Sequence, residues 1–224
     1  MKLAVQTAAS SLIGLGFFAL TLFLPAGTFA YWQAWVFIAV FTATTIGPSL
    51  YLAIAYPEAL QRRLRAGPTA ETRPVQRVIV SAIFVLATAL FVVSALDHRF
   101  GWSSVPVWLV VVGNVLVAVG LVLAQLVVIQ NNYAAANITV EPDQALASTG
   151  LYSVVRHPMY AGALLMMIGT PLALDSYWGL VVLAPSLAVL AARILDEEAL
   201  LTEELGGYRE YLTRVRYRLV PGVW

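Results

Sequence analysis

Long apolar runs alternate with short polar interruptions along the whole chain. Six runs stand out, at 3–24, 31–56, 78–96, 105–130, 158–174 and 177–195. Residues 3–24 carry no charge, and at about 1.5 Å per residue such a run covers roughly 30 Å of hydrocarbon as a helix. It is too long for a signal-peptide core and turns at Pro25-Ala26-Gly27 straight into the next run, so it reads as a span. The second run opens on Tyr31, Trp32 and Trp35, rings suited to the headgroup level, and Gly47-Pro48 predicts a bend inside it. Residues 57–77 read as a polar loop with Arg62, Arg63, Arg65, Arg73 and Arg77, and residues 97–102 as a short turn. Trp102 and Trp108 are candidate interface anchors, and Asn114, inside the fourth run, predicts an interhelical hydrogen bond. Residues 131–155 are polar enough to leave the membrane, with turns at Glu141-Pro142-Asp143 and Ser148-Thr149-Gly150. Only Asp175-Ser176 separates the last two runs, which predicts a tight helical hairpin. The pattern is that of an all-α, polytopic membrane bundle of about six spans. Residues 1–130 hold four of them, and residues 131–224 hold the hairpin and a polar, basic tail.

Composition agrees. Hydrophobic residues make up 60% and charged residues 11% of 224, with mean hydropathy +0.82, far from a soluble domain. A net charge of +1 gives no reason to invoke nucleic acid. Without cysteine and with only His98 and His157, neither a thiolate nor a histidine-built metal site is expected. If the six runs cross in turn, 12 of the 13 basic residues fall on one side and only Arg99 on the other. That bias predicts cytoplasmic termini and places residues 150–162 on the cytoplasmic face as well.

Chemistry concentrates in Gly150-Leu-Tyr-Ser-Val-Val-Arg-His-Pro-Met-Tyr-Ala-Gly162 and in Glu197-Glu198. Pro158 restricts His157 to extended backbone and suits a first helical position. The chain then descends and returns by roughly 24 Å each way, which sets Arg193 level with Pro158 and both glutamates one turn above. Free N–H groups at the helix start and the Arg156 guanidinium suit a carboxylate. Glu197 and Glu198 suit an ammonium or ribose hydroxyls. Tyr152 and Tyr160 offer rings to a base or a sulfonium, and Gly162 allows close approach. This set fits a zwitterionic nucleoside. Glu198 lies on an otherwise apolar helix stripe and therefore needs a partner, whereas Glu197 can pair with Arg193, so Glu198 is the stronger ligand candidate.

The run Gly150-x-Tyr152-x-x-x-Arg156-His157-Pro158-x-Tyr160-x-Gly162, followed by Arg193-x-x-x-Glu197-Glu198-x-x-Leu201 and Tyr208-x-x-Tyr211, resembles the isoprenylcysteine carboxyl methyltransferases and their phospholipid methyltransferase relatives. The likeness is close over the C-terminal third; over the first 130 residues it rests on span number and length. It implies an S-adenosylmethionine pocket built by the last helices in residues 131–224, closed by the C-terminal segment. A lipophilic acceptor would enter from the bilayer. It also implies that His157, Tyr160 and the glutamate pair hold the cofactor while Arg156 orients the acceptor. Gly206-Gly207 departs from the family, where an aromatic precedes the glycine, and bears on how the C-terminal lid packs.

The expected site is thus Arg156 and Glu197 as catalytic residues, with Tyr152, His157, Pro158, Tyr160, Gly162, Arg193 and Glu198 binding cofactor and no metal. Glu197 is the candidate base should the acceptor be an amine or a thiol. Tyr208 and Tyr211 read as lid packing, and Arg214, Arg216 and Arg218 as contacts to anionic membrane lipid. An NADPH-dependent sterol-type reductase is the alternative enzyme, and a transporter or scaffold the non-enzymatic one. Glu198→Gln or His157→Ala is expected to weaken cofactor binding at least about tenfold, or about 1.4 kcal/mol, with the fold intact.

Overall fold

A computed structural model describes residues 2–64, 69–71, 73–134, 138–140 and 144–224, those at 2–8 and 11 by backbone alone. The expected turn at 141–143 and Arg65 lie outside the described residues. Eight helices follow in order and no strand occurs among the described residues. They are α1 (Lys2–Phe18), α2 (Trp32–Ala55), α3 (Pro57–Leu64), α4 (Pro74–Phe100), α5 (Val107–Gln130), α6 (Pro158–Ala173), α7 (Leu183–Glu204) and α8 (Tyr208–Arg214). Among the described residues four stretches, Trp32–Ala55, Pro74–Phe100, Val107–Gln130 and Trp178–Glu204, are long and apolar enough to cross a membrane. Leu12–Ala26 and Pro158–Ala173 are shorter apolar helices that complete the sixfold pattern.

The boundaries differ from expectation where capping and burial intervene. α1 continues through a π-helical turn at Ala19–Phe23 into Leu24–Ala26. Pro25 supplies no amide hydrogen there, and a π-bulge is a common way to absorb such a gap. α2 runs through Pro48 to Ala55. The supposed loop at 57–77 contains α3, whose Ala59 and Leu60 are buried. The turn expected at 97–102 is the last turn of α4; Gly101, at φ 62°, caps it by donating its N–H to the Asp97 carbonyl at 2.7 Å. Asn114 forms no interhelical bond: its Nδ2 donates to Val110 O in its own helix at 2.9 Å, and its Oδ1 has no partner among the described residues. α7 outruns its apolar stretch and carries the acidic residues at 197, 198, 203 and 204 beyond it.

The core lies among α1, α2 and α4, where Phe18 meets Phe41 at 4.9 Å, Phe91 at 5.4 Å and Phe37 at 5.6 Å between ring centroids. These edge-on pairs fill the space that hydrophobicity alone would leave unspecified. α5 and α6 pack closely over a glycine seam. A Cβ on Gly162 would stand 2.6 Å from Gly120 O, and one on Gly169 would stand 2.6 Å from Gly113 O. Small residues let two helices touch backbone to backbone where lipid offers no hydrophobic drive. Gly162 therefore serves this seam rather than close approach of a ligand.

At the end away from the glutamate pair, buried Asp97 accepts from Ser103 Oγ and Ser176 Oγ, each at 2.6 Å. Asp175 accepts from Gln33 Nε2 at 2.8 Å and Val105 N at 2.6 Å. These two carboxylates join the start of α2, the end of α4, the entry to α5 and the short turn between α6 and α7. Gly169→Val is expected to cost about 1–3 kcal/mol through overpacking, read as a lower melting temperature of the detergent-solubilised protein. Gly16→Ala, with nothing within 4 Å of its Cβ, should leave it unchanged; equal melting of both variants would contradict the seam.

Candidate functional site

The open ends of α6 and α7 are tied by two side-chain pairs. The Tyr160 hydroxyl donates to Glu197 Oε2 at 2.6 Å, and His157 Nε2 lies 3.1 Å from Glu198 Oε1. Arg193 Nε donates to the same Tyr160 oxygen at 2.9 Å, so Arg193, Tyr160 and Glu197 form one line. The His157 and Tyr160 rings stack at 5.5 Å. Because Pro158 starts α6 and leaves His157 outside the helix (φ −125°, ψ 65°), the two side chains can face the returning helix together.

The neighbouring glutamates face different surroundings. Glu197 is half-buried and lines a cavity with Tyr152, Arg156, Tyr160, Arg193 and Tyr208. The cavity holds about 110 Å³, and every residue lining it falls within 131–224. Glu198 does not line it. Its carboxylate accepts from Arg218 Nε at 2.9 Å and sits 2.8 Å from Arg156 Nε, a charge contact without hydrogen-bond alignment. The apolar stripe that carries Glu198 thus finds its partners inside the protein, in His157, Arg156 and Arg218. Arg218 accordingly turns inward, not toward lipid.

The C-terminal segment covers this pair. Arg156 N donates to Tyr217 O and His157 N to Arg218 O, both at 2.9 Å, in a short extended pairing. Gly207, at φ 80°, reverses the chain before α8, a conformation open to glycine, so the Gly206-Gly207 departure still leaves a packed lid. Tyr208 and Tyr211 are buried among Leu205, Val215, Leu146 and Leu201. Both also line the cavity, and Tyr211 donates to Tyr152 O at 2.7 Å. Burial first, then Tyr152, pushes the Tyr211 phenol up to about 12. Burial, then the charges of Glu198 and Glu197, pushes Tyr208 up as well. Tyr152 is raised by burial despite a hydrogen bond from Asn131. All three therefore stay neutral hydrogen-bond donors near neutral pH. Among the described residues no three of His, Asp and Glu gather as metal ligands would.

A second cavity of about 250 Å³ adjoins the first. It lies between α4, α6 and α7, is lined almost wholly by apolar side chains such as Leu86, Leu90, Met167 and Leu190, and shares Tyr160 and Arg193 with its polar neighbour.

Residues 108–207 match the family model of phospholipid methyltransferases. That stretch, under half of the chain, is similar to the family. A solved structure of the eukaryotic intramembrane Ras methyltransferase, isoprenylcysteine carboxyl methyltransferase, is similar over 97% of this chain and 86% of its own, at 17% identity and TM-score 0.54. No curated protein matches the sequence. The fold is that of the Ras methyltransferase, and the resemblance to this group of membrane methyltransferases is borne out.

The matched stretch runs from the start of α5 to Gly207, and the candidate site leans on residues outside it. Glu71, 2% exposed, accepts from Arg193 Nη1 and from Ile138 N, each at 3.2 Å. Gln76 accepts from Arg193 Nη1 at 2.9 Å. Arg73 Nη1 lies 2.8 Å from Asp196 Oδ2. The sequence flags these only as members of a polar loop; nothing in their spacing points at α7. Arg218 is likewise visible only once the tail folds back. Removing one member of a buried charge cluster typically costs about 3–5 kcal/mol, so Glu198→Gln, expected from the sequence to leave the fold intact, should instead lower the melting temperature and speed tryptic cleavage at Arg214, Arg216 and Arg218. Wild-type cleavage rates in that variant would show that the tail is held by something else.

Proposed function

We propose that this protein is an S-adenosylmethionine-dependent methyltransferase acting on a lipophilic acceptor that reaches the site from the bilayer. One observation carries the reading: a polar cavity with the groups for a zwitterionic nucleoside abuts an apolar cavity, and Tyr160 and Arg193 form their common wall. The likeness to phospholipid methyltransferases over 108–207 and the fold shared with the Ras methyltransferase support the same reaction class. Neither comparison favours the NADPH-dependent reductase.

In this reading Glu197, the member of the acidic pair that lines the cavity, binds the cofactor's ammonium or ribose, and Tyr152 and Tyr160 flank its base or sulfonium. The N–H groups at the start of α6 take the carboxylate. His157 and Glu198 hold this arrangement from behind. The sulfonium is already an activated methyl donor, so holding the acceptor in line within a dry site supplies the main acceleration. An acceptor carboxylate is aligned by Arg156; an amine or thiol loses its proton to Glu197. The cavity's 110 Å³ is below the roughly 300–1,000 Å³ of ligand pockets, so loading requires residues 144–147 and α8 to give way. The positive-inside bias supports a cytoplasmic mouth.

Calorimetry on purified protein tests the reading. S-adenosylhomocysteine should bind, Glu197→Gln should weaken it at least about tenfold, or about 1.4 kcal/mol, and NADPH should give no heat. Binding of NADPH alone would end the methyltransferase assignment.

A further inference from the structure

Helix α3 starts at Pro57, two residues after α2 ends at Ala55. A short helix directly beyond a span lies at headgroup level. Ala59, Leu60 and Leu64 pack it against Leu52 of α2, Val128 and Ile129 of α5, and Met159 at the start of α6. Arg63 follows Leu60 by three positions and so leaves α3 on the same side. Its guanidinium is partly buried, and Nη1 donates to Met159 Sδ at 3.6 Å. A thioether is a weak acceptor, and among the described residues no other acceptor meets the five guanidinium N–H donors. No carboxylate among the described residues lies within ion-pair distance of Arg63. Burial also pushes its pKa down. Arg62 beside it is engaged differently, near Glu58 at 3.9 Å and over the Tyr133 ring at 5.1 Å. A partly desolvated guanidinium whose acceptor is a thioether calls for an anion.

Leu60 and Leu64 also wall a cleft of about 220 Å³ between α1 and α2, with Gly14, Phe18, Phe41 and Ile46. Its surface is almost entirely apolar, and it shares no lining residue with either cavity at the site. The same short helix therefore presents a cation and roofs an apolar cleft.

We propose that α3 holds one phospholipid, its phosphate on Arg63 and an acyl chain in the cleft between α1 and α2. A phosphate at headgroup height meets the guanidinium fork with two oxygens, the arrangement in which charge-assisted bonds are strongest. Met159 belongs to both places, since it touches Arg63 and lines the polar cavity. The lipid thereby braces the first turn of α6, and its site stands whether or not methyl transfer is the activity.

Calorimetry on the full chain in detergent tests this with three probes: dihexanoyl phosphatidylcholine, which has phosphate and chains; glycerol dihexanoate, which lacks phosphate; and inorganic phosphate, which lacks chains. The phospholipid should bind at least about tenfold more tightly than either. Arg63→Gln should remove that preference, Gly14→Leu should weaken the phospholipid by filling the cleft, and exposed Arg214→Gln should change nothing. If glycerol dihexanoate binds as well as the phospholipid, Arg63 has no part. If inorganic phosphate matches it, the cleft has none. Unchanged binding in both Arg63→Gln and Gly14→Leu would overturn the site, and the Gly14 variant carries the test should Arg63→Gln fail to fold.

Discussion

A carboxylate set into an otherwise apolar helix face must find counter-charges or lose its charge, and Glu198 finds them on two separate segments. His157 and Arg156 reach it from the residues before α6, and Arg218 reaches it from beyond α8. One acid thus fixes the start of one helix, the end of another and the path of the tail. Glu197, next in sequence, is left facing the cavity, bonded to Tyr160. A buried cluster of this kind contributes geometry more surely than stability, because desolvation offsets much of the attraction. Geometry is what a site for methyl transfer needs most.

The same logic repeats at the other end of the bundle. Asp97 and Asp175 are met by backbone N–H groups, serine hydroxyls and the Gln33 amide, so the short turn between α6 and α7 is held to the helices around it. Between these polar ends, the glycine seam draws α6 against α5. α6 cannot follow α7 at every level, and the apolar cavity lies between them beside α4. Acids pin the ends, and glycines decide which neighbour the middle prefers. The space left over lies directly behind Tyr160 and Arg193.

Much of this was legible in the sequence because run length and helical rise set height in a membrane. Counting down from Pro158 and back sets Arg193 level with Pro158, and Arg193 does reach Tyr160, two residues into α6, at 2.9 Å. The apolar stripe around Glu198 predicts that this acid needs a partner; it could not say that the partners are Arg156, His157 and Arg218. Gly162 looked like a place for a ligand because the backbone it touches, Gly120, lies over forty residues earlier. α3 was read as loop because its arginines outweigh a short apolar face in composition, although Ala59 and Leu60 are buried. Glu71 reaches Arg193 only through tertiary folding. In each case the missing information is which distant group a side chain meets, and periodicity does not carry it.

The central claim is that the tied ends of α6 and α7 form the seat of a methyl donor. A structure of the protein with S-adenosylhomocysteine tests it most directly. The account predicts density between Glu197, Tyr160 and Arg156, with the thioether sulfur facing the wall shared with the apolar cavity. Density anywhere else on the protein, with Tyr160 still bonded to Glu197 across an empty cavity, would contradict it.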